Sequence, residues 1–319
     1  MRVMYALLLF LTAFASARAA DLRLGYVGTD TSHVIAFINV LNDPKNPDHI
    51  PGARIVAAYK GGSADVQSSY TRVDKYAEEL RSQWNVEIVA DIPTLCSKVD
   101  GVLLESVDGR KHLEQARQII AAGKPMFIDK PMAATLEDAR EIARLAKAAG
   151  VPWFSTSSLR YGQVATTMKF PDARSVITWG PGPLEEHHYL DLSWYAIHAV
   201  EMLFTLMGTG VEDVSRVSSQ DVDIVTGRWK DGRLGAVQAV RPYSDFGAVV
   251  VRVIEGKKTE VVQSPPKTKS SYVPMLREIV TFFQTGRAPV ASEETLELFA
   301  FMDAAQRSKA AGGAPMKLR

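Results

Sequence analysis

Short apolar runs alternate with stretches of helical period through the first half of the chain. The segments 22–27, 53–59, 86–90, 101–104, 125–128 and 151–154 read as buried strands. Between them, 34–41, 71–84, 92–97, 111–122 and 136–149 place apolar residues three and four apart, as helices do. Gly123 and Gly150 stand where two of these helices should stop, and Thr135-Leu-Glu-Asp138 is a capping pattern that opens the last one. Strands and helices alternating at this spacing predict βαβ units and a doubly wound parallel sheet.

The pattern changes after about residue 155. One strongly apolar helix is expected over 192–207. Alternating segments follow at 214–219, 222–229, 234–240, 248–254 and 259–262, with Lys230-Asp-Gly232 as a hairpin turn, and two helices close the chain at 273–284 and 293–309. The expected fold class is therefore α/β. A Rossmann-like parallel sheet over 20–155 precedes an α+β domain with an open, largely antiparallel sheet over 156–319. The segment 263–271, with Pro265 and Pro266, reads as a mobile loop.

Residues 1–19 stand apart from this pattern. Met1-Arg2, the apolar run 5–14 and Ala17-Arg-Ala19 have the form of a general secretory signal peptide. The expectation is export to the periplasm or the exterior, with no membrane span in the mature chain. Composition changes little: 46% hydrophobic and 23% charged residues with a net charge of +1 describe an ordinary globular protein, and no basic stripe points to nucleic acid. Cys96 is the single cysteine, which excludes an intrachain disulfide and a thiolate metal cluster.

Candidate chemistry gathers at strand ends. Lysine 130 follows the 125–128 strand and precedes Pro131, which biases it to extended geometry, and strand carboxyl ends are where ligands bind in open α/β sheets. The first turn, Gly28-Thr-Asp-Thr-Ser-His33, has glycine at the first position of a dinucleotide fingerprint but Asp30 and His33 at the second and third. Thr29, Thr31 and Ser32 offer hydroxyls there, and the following helix offers its N-terminus to an anion. Lys60 and Ser63, after the second strand, suit a 2′-phosphate better than a ribose hydroxyl. On the 192–207 helix, Asp191, Trp194, Tyr195, His198 and Glu201 fall on one side. His198 suits proton transfer, with Glu201 or Asp191 to orient it. Glu185-Glu-His-His188 lacks the spacing of a metal site and reads as a polar pocket rim, so no metal is expected.

Together these segments resemble the glucose–fructose oxidoreductase, inositol dehydrogenase and rhizopine-catabolism family (Gfo/Idh/MocA). The resemblance rests on Asp129-Lys130-Pro131, Asp108-Gly-Arg-Lys-His112, Gly123-Lys-Pro125, Ser158-Leu-Arg160-Tyr161, the His198 to Gly208 segment and the 289–308 tail. It implies an NAD- or NADP-linked oxidoreductase acting on a sugar or cyclitol hydroxyl. Lys130 and His198 would then be catalytic. Gly28, Thr29, Asp30, Thr31, Ser32, Lys60, Ser63, Asp108, His112, Asp129 and Lys130 would hold the cofactor, and Arg160, Tyr161, Asp191, Trp194 and Tyr195 the substrate. The implied partner is a small carbohydrate, and a homo-oligomer is compatible with the open sheet. Two other readings remain open: a carbohydrate-binding protein without turnover, and a lyase or hydrolase using a resident cofactor.

Overall fold

The computed structural model describes residues 20–185, 187–267 and 271–319. The expected signal peptide and residues 268–270 of the expected mobile loop lie outside the described residues. Six strands form the first sheet: β1 (Leu22–Val27), β2 (Ala53–Tyr59), β3 (Glu87–Val89), β4 (Gly101–Leu104), β5 (Met126–Ile128) and β6 (Trp153–Ser155). All pair in parallel in the order β3-β2-β1-β4-β5-β6, the doubly wound arrangement. Short strands with both faces covered explain the continuous apolar runs: every residue of β4, β5 and β6 is buried. Helix Leu136–Ala149 begins as expected, with Thr135 Oγ1 accepting from the Asp138 amide at 3.0 Å, and ends on Gly150 in the left-handed region.

The second sheet contains β7 (Ala173–Pro181), β8 (Val211–Ser218), β9 (Val222–Trp229), β10 (Leu234–Val240), β11 (Gly247–Ile254), β12 (Lys258–Gln263) and β13 (Met316–Lys317). Its order is β12-β11-β7-β10-β9-β8-β13, antiparallel except for the β7–β10 pair. The expected long helix over 192–207 is shorter. A single 3-10 turn spans Asp191–Ser193, and the α-helix is Ile197–Met207, so Asp191 is not on its face. The expected helix over 71–84 starts two residues later, at Val73–Trp84, after a separate short helix at Gln67–Tyr70.

Helix Ile197–Met207 lies across β7 and β10, and helix Ser292–Ala310 across β8. Helix Val273–Thr285 does something the chain order does not suggest. Although it follows the whole second sheet except β13, it packs on the first. Met275, Leu276, Ile279 and Phe282 are buried against a cluster that includes Leu24, Phe37, Leu103, Phe127 and Phe154. Each such fully buried side chain contributes about 1.5–3 kcal/mol. This return fixes the two sheets to each other and brings Tyr272 over the first turn, where it meets Phe37 and His33. Among the described residues no helix is long and apolar enough to cross a membrane.

Candidate active site

The carboxyl ends of β1, β4 and β5 face a cleft of about 640 Å³, within the usual range for small-molecule sites. One wall is polar: Thr31, Ser32, Ser68 and Arg72. The other carries Trp194, Tyr195, His198, Tyr243, Phe246 and Asp245, and Lys130 and His33 lie between.

Lysine 130 reaches this cleft because β5 ends beneath it, with the Asp129 amide bonded to the Leu104 carbonyl at 2.8 Å. The next loop is anchored by His112, whose ring bridges the carbonyls of Ser106 (2.7 Å) and Met132 (3.2 Å). Burial pulls the Lys130 ammonium pKa below its ordinary value, while the Asp129 and Glu105 carboxylates act against that. The amine lies 5.5 Å from the centre of the Tyr195 ring, and that ring lies 5.1 Å edge-on to His198. Tyr195 thus spaces the two groups that share the cleft.

His198 is not oriented by Glu201 or Asp191. Its Nδ1 meets Ser157 Oγ at 2.7 Å, and Ser157 also accepts from the Leu159 amide at 3.2 Å. Glu201 instead accepts from Thr156 (2.6 Å) and Arg160 (2.7 Å), and Asp191 is tied to Arg216 and Lys309. Burial, with the Lys130 and His33 charges, holds the His198 imidazole well below its ordinary pKa, so it is neutral near pH 7. In the tautomer with Nδ1–H donating to Ser157, Nε2 accepts a proton.

The residues expected around a cofactor divide into two groups. Thr31, Ser32 and Lys130 line the cleft. Gly28, Thr29, Asp30, Ser63, Asp108 and His112 form an interior network behind it. Gly28 has φ +96°, and a Cβ there would fall 2.4 Å from the Ser106 nitrogen, so glycine is required by close packing of two loops. Thr29 Oγ1 donates to the Val73 carbonyl at 3.0 Å. Asp30 is fully buried and accepts from Ser69 Oγ (2.6 Å) and the Val107 amide (3.1 Å). Burial raises its pKa. Ser63 donates to Asp108 at 2.6 Å. Burial pushes the Asp108 carboxyl up, but bonds from Arg110 and Ser63 bring it down to about 2. Lys60 pairs with Asp74 at the surface. Asp129 accepts from His33 Nδ1 at 2.7 Å.

Of the residues expected around a substrate, Trp194 and Tyr195 line the cleft. Asp191 faces the second sheet. Arg160 bonds Glu201 and Glu294, and Tyr161 packs on the first core. The 185–188 stretch is not a metal cluster among the described residues: His187 faces Glu185, and His188 is buried against Trp194. Sequence reasoning missed Ser157, Arg72, Ser68 and Glu105. None has a local signal: Ser157 gains its role from His198, 41 residues away, and Ser68, Arg72 and Glu105 gain theirs from where the fold places them.

A nicotinamide dinucleotide needs an anion-holding wall beside the reacting groups. The cleft offers the N-terminus of helix His33–Asn42, Thr31, Ser32, Arg72 and a buried Ser68 hydroxyl with no partner in the protein. These residues fit the phosphates. The interior network does not, since its donors are already used.

The family model described as "Oxidoreductase family, NAD-binding Rossmann fold" (Gfo/Idh/MocA) matches residues 48–157. Among solved structures, the chain is similar to an oxidoreductase from Agrobacterium radiobacter in complex with NAD+, L-tartaric acid and magnesium, at 15% identity and TM-score 0.73, covering 94% of this chain and 99% of that one. It is also similar to myo-inositol 2-dehydrogenase from Lactobacillus plantarum (13%, TM-score 0.73, 94% and 100%) and to scyllo-inositol dehydrogenase from Lactobacillus casei (13%, TM-score 0.71, 93% and 98%). At these identities the likeness is one of fold. No curated protein sequence matches.

Proposed function

We propose that this chain, which belongs to the Gfo/Idh/MocA oxidoreductases by its Rossmann domain, is an NAD(P)-dependent oxidoreductase acting on a hydroxyl of a sugar or cyclitol. The observation that carries the reading is the pairing of Lys130 with a neutral His198 across one cleft. Oxidation of an alcohol needs a group to take the hydroxyl proton and a cation to stabilise the developing alkoxide. His198 Nε2 serves the first need, with Ser157 holding the ring. Lys130, drawn toward the cleft and desolvated, serves the second. Thr31, Ser32, Ser68 and Arg72 would hold the phosphates of the dinucleotide. When bound, the nicotinamide supplies the hydride acceptor, a chemistry no side chain offers.

The substrate class is supported by the lining. Trp194, Tyr195, Tyr243 and Phe246 present apolar ring faces, while Asp245 and the two catalytic groups offer polar contacts. Flat apolar walls with a few placed polar groups suit a polyhydroxylated ring. The purified protein should contain, or bind on titration, one NAD(H) or NADP(H) per chain. It should also reduce the oxidised cofactor with a member of an inositol and aldose panel. Absence of both bound and titratable nicotinamide would overturn the reading. It would favour a sugar-binding protein without turnover. The signal peptide adds an exported location to this proposal, tested by fractionation of cells expressing the full chain.

A further inference from the structure

Three side chains meet above the ends of β1, β4 and β5 in a way that proton transfer and nucleotide binding leave unexplained. They are His33, the first residue of its helix, Glu105, directly after β4, and Asp129, directly after β5. One ligand-type atom from each lies within 4.8 Å of the others. His33 Nδ1 is 2.7 Å from Asp129 Oδ2 and 3.8 Å from Glu105 Oε2.

Glu105 is the independent observation. It is fully buried, and both carboxylate oxygens are buried without a hydrogen-bond partner. A buried carboxylate in that condition is among the costliest arrangements in a protein. His33 does not resolve it: its Nδ1 is spent on Asp129 and stands 3.8 Å from Glu105 Oε2, beyond hydrogen-bond reach. Lys130 does not resolve it either: among the described residues it forms no ion pair with Glu105 or Asp129, and its amine is turned toward the Tyr195 ring.

We propose that His33, Glu105 and Asp129 bind one divalent first-row cation of the Mn2+, Fe2+ or Zn2+ kind. Two carboxylates and a neutral imidazole around such an ion sum to zero charge and give the Glu105 carboxylate the partner it lacks. Ligand atoms on a coordination shell of about 2.0–2.2 Å stand about 3–4 Å from one another, so a small movement of Glu105 and a slight opening of the 2.7 Å His33–Asp129 contact, whose bridging proton the cation would replace, complete the set. One nitrogen with two oxygens favours these ions over calcium and magnesium, which take oxygen ligands. The ring of His33 is already held in place, stacked on Phe37 at 5.1 Å and edge-on to Tyr272 at 4.8 Å. Because His33 and Lys130 both line the cleft, the remaining coordination positions would face a substrate oxygen beside Lys130. The proposal goes beyond the oxidoreductase reading and does not need it.

The test uses the full chain stripped with EDTA and no nucleotide. It is titrated with Mn2+, followed by electron paramagnetic resonance, and with Zn2+ by calorimetry. One equivalent per chain is expected. Glu105→Gln, which keeps shape, and His33→Asn should each weaken binding by at least about tenfold. Unchanged binding in both variants overturns the proposal. So does binding lost instead in His187→Ala, which disrupts the surface pair with Glu185. If Glu105→Gln does not fold, His33→Asn decides alone. Nicotinamide titration is a separate measurement, so failure of one reading is distinguishable from failure of the other.

Discussion

Two buried clusters of charge sit in the two sheets, and they are resolved in opposite ways. In the second sheet, Arg216 is fully buried yet bonds Asp191 at 2.6 and 3.0 Å and Asp223 at 2.9 Å. Arg241 adds a second bond to Asp223 at 2.6 Å, and Lys309 one to Asp191 at 2.9 Å. Every charge there has a partner of opposite sign. In the first sheet, Glu105 lies beside Asp129, His33 and Lys130 with both oxygens bare. Folding alone explains the first cluster, because a closed network satisfies desolvated groups. It does not explain the second, and such unsatisfied, pKa-shifted groups at strand ends mark sites rather than scaffolding.

The largest effect is expected at Arg216. Arg216→Ala takes one cationic partner each from Asp191 and Asp223, with Lys309 and Arg241 as their remaining ones, so urea denaturation should show a loss of roughly 3 kcal/mol, the low end for a broken buried pair. A loss near zero would mean that the network is not structural. On the other side, Lys130→Ala should lower turnover by about 10²–10³ while stability stays within about 1 kcal/mol. A protein that fails to fold instead would make the lysine part of the scaffold.

A pH series sharpens the contrast at an intermediate size. His188 is buried near Trp194, faced by Asp108 with Arg110, His112 and Glu185 nearby, and burial lowers its pKa from 6.5 to about 4. Between those two values the unfolded chain takes up a proton that the folded one refuses. Stability should therefore fall as pH drops from 6.5 toward 4, by up to about 3 kcal/mol, with no contribution above that window. Asp108, at about 2, does not titrate within it. The buried His198 and His112, also held low, add in the same direction, so His188→Gln should reduce this slope without abolishing it, and an unaltered slope would assign the effect to those two. The smallest effect is expected for Glu105→Gln without metal. Replacing an unpartnered buried carboxyl by an amide of the same shape should leave the melting point unchanged or raise stability by up to about 1 kcal/mol. A clear loss would put Glu105 in the scaffold with Arg216.

Much of the fold was legible because period and punctuation are local properties. The six strands of the first sheet, the capping at Thr135 and the stop at Gly150 all lie within a few residues of their signals. Strand β7 escaped because its inward positions are Val176, Thr178 and Gly180, a sequence with little apolar alternation. The helix at 192–207 was read too long because apolar residues continue N-terminally through a 3-10 turn. At the site, Lys130 and His198 stood out by residue type at a strand end and on a helix face. The choice of Glu201 or Asp191 as orienting partner assumed that a shared face implies contact. The partner is Ser157, 41 residues away, supplied by a different loop.

The sequence by itself determined the alternation of strand and helix, the parallel first sheet, the lysine at its carboxyl edge and the absence of an intrachain disulfide. Each follows from side-chain period, backbone restriction or residue count. Only the tertiary structure decided which polar groups face outward to a ligand and which are spent on the protein. Asp30 and Asp108 look like binding residues in one dimension, yet the packing of three loops turns them inward. Glu105 looks like the first residue of a loop, yet the same packing leaves it buried and bare. Whether a carboxylate has a partner depends on chain segments far apart in sequence, and that is set by how the layers close.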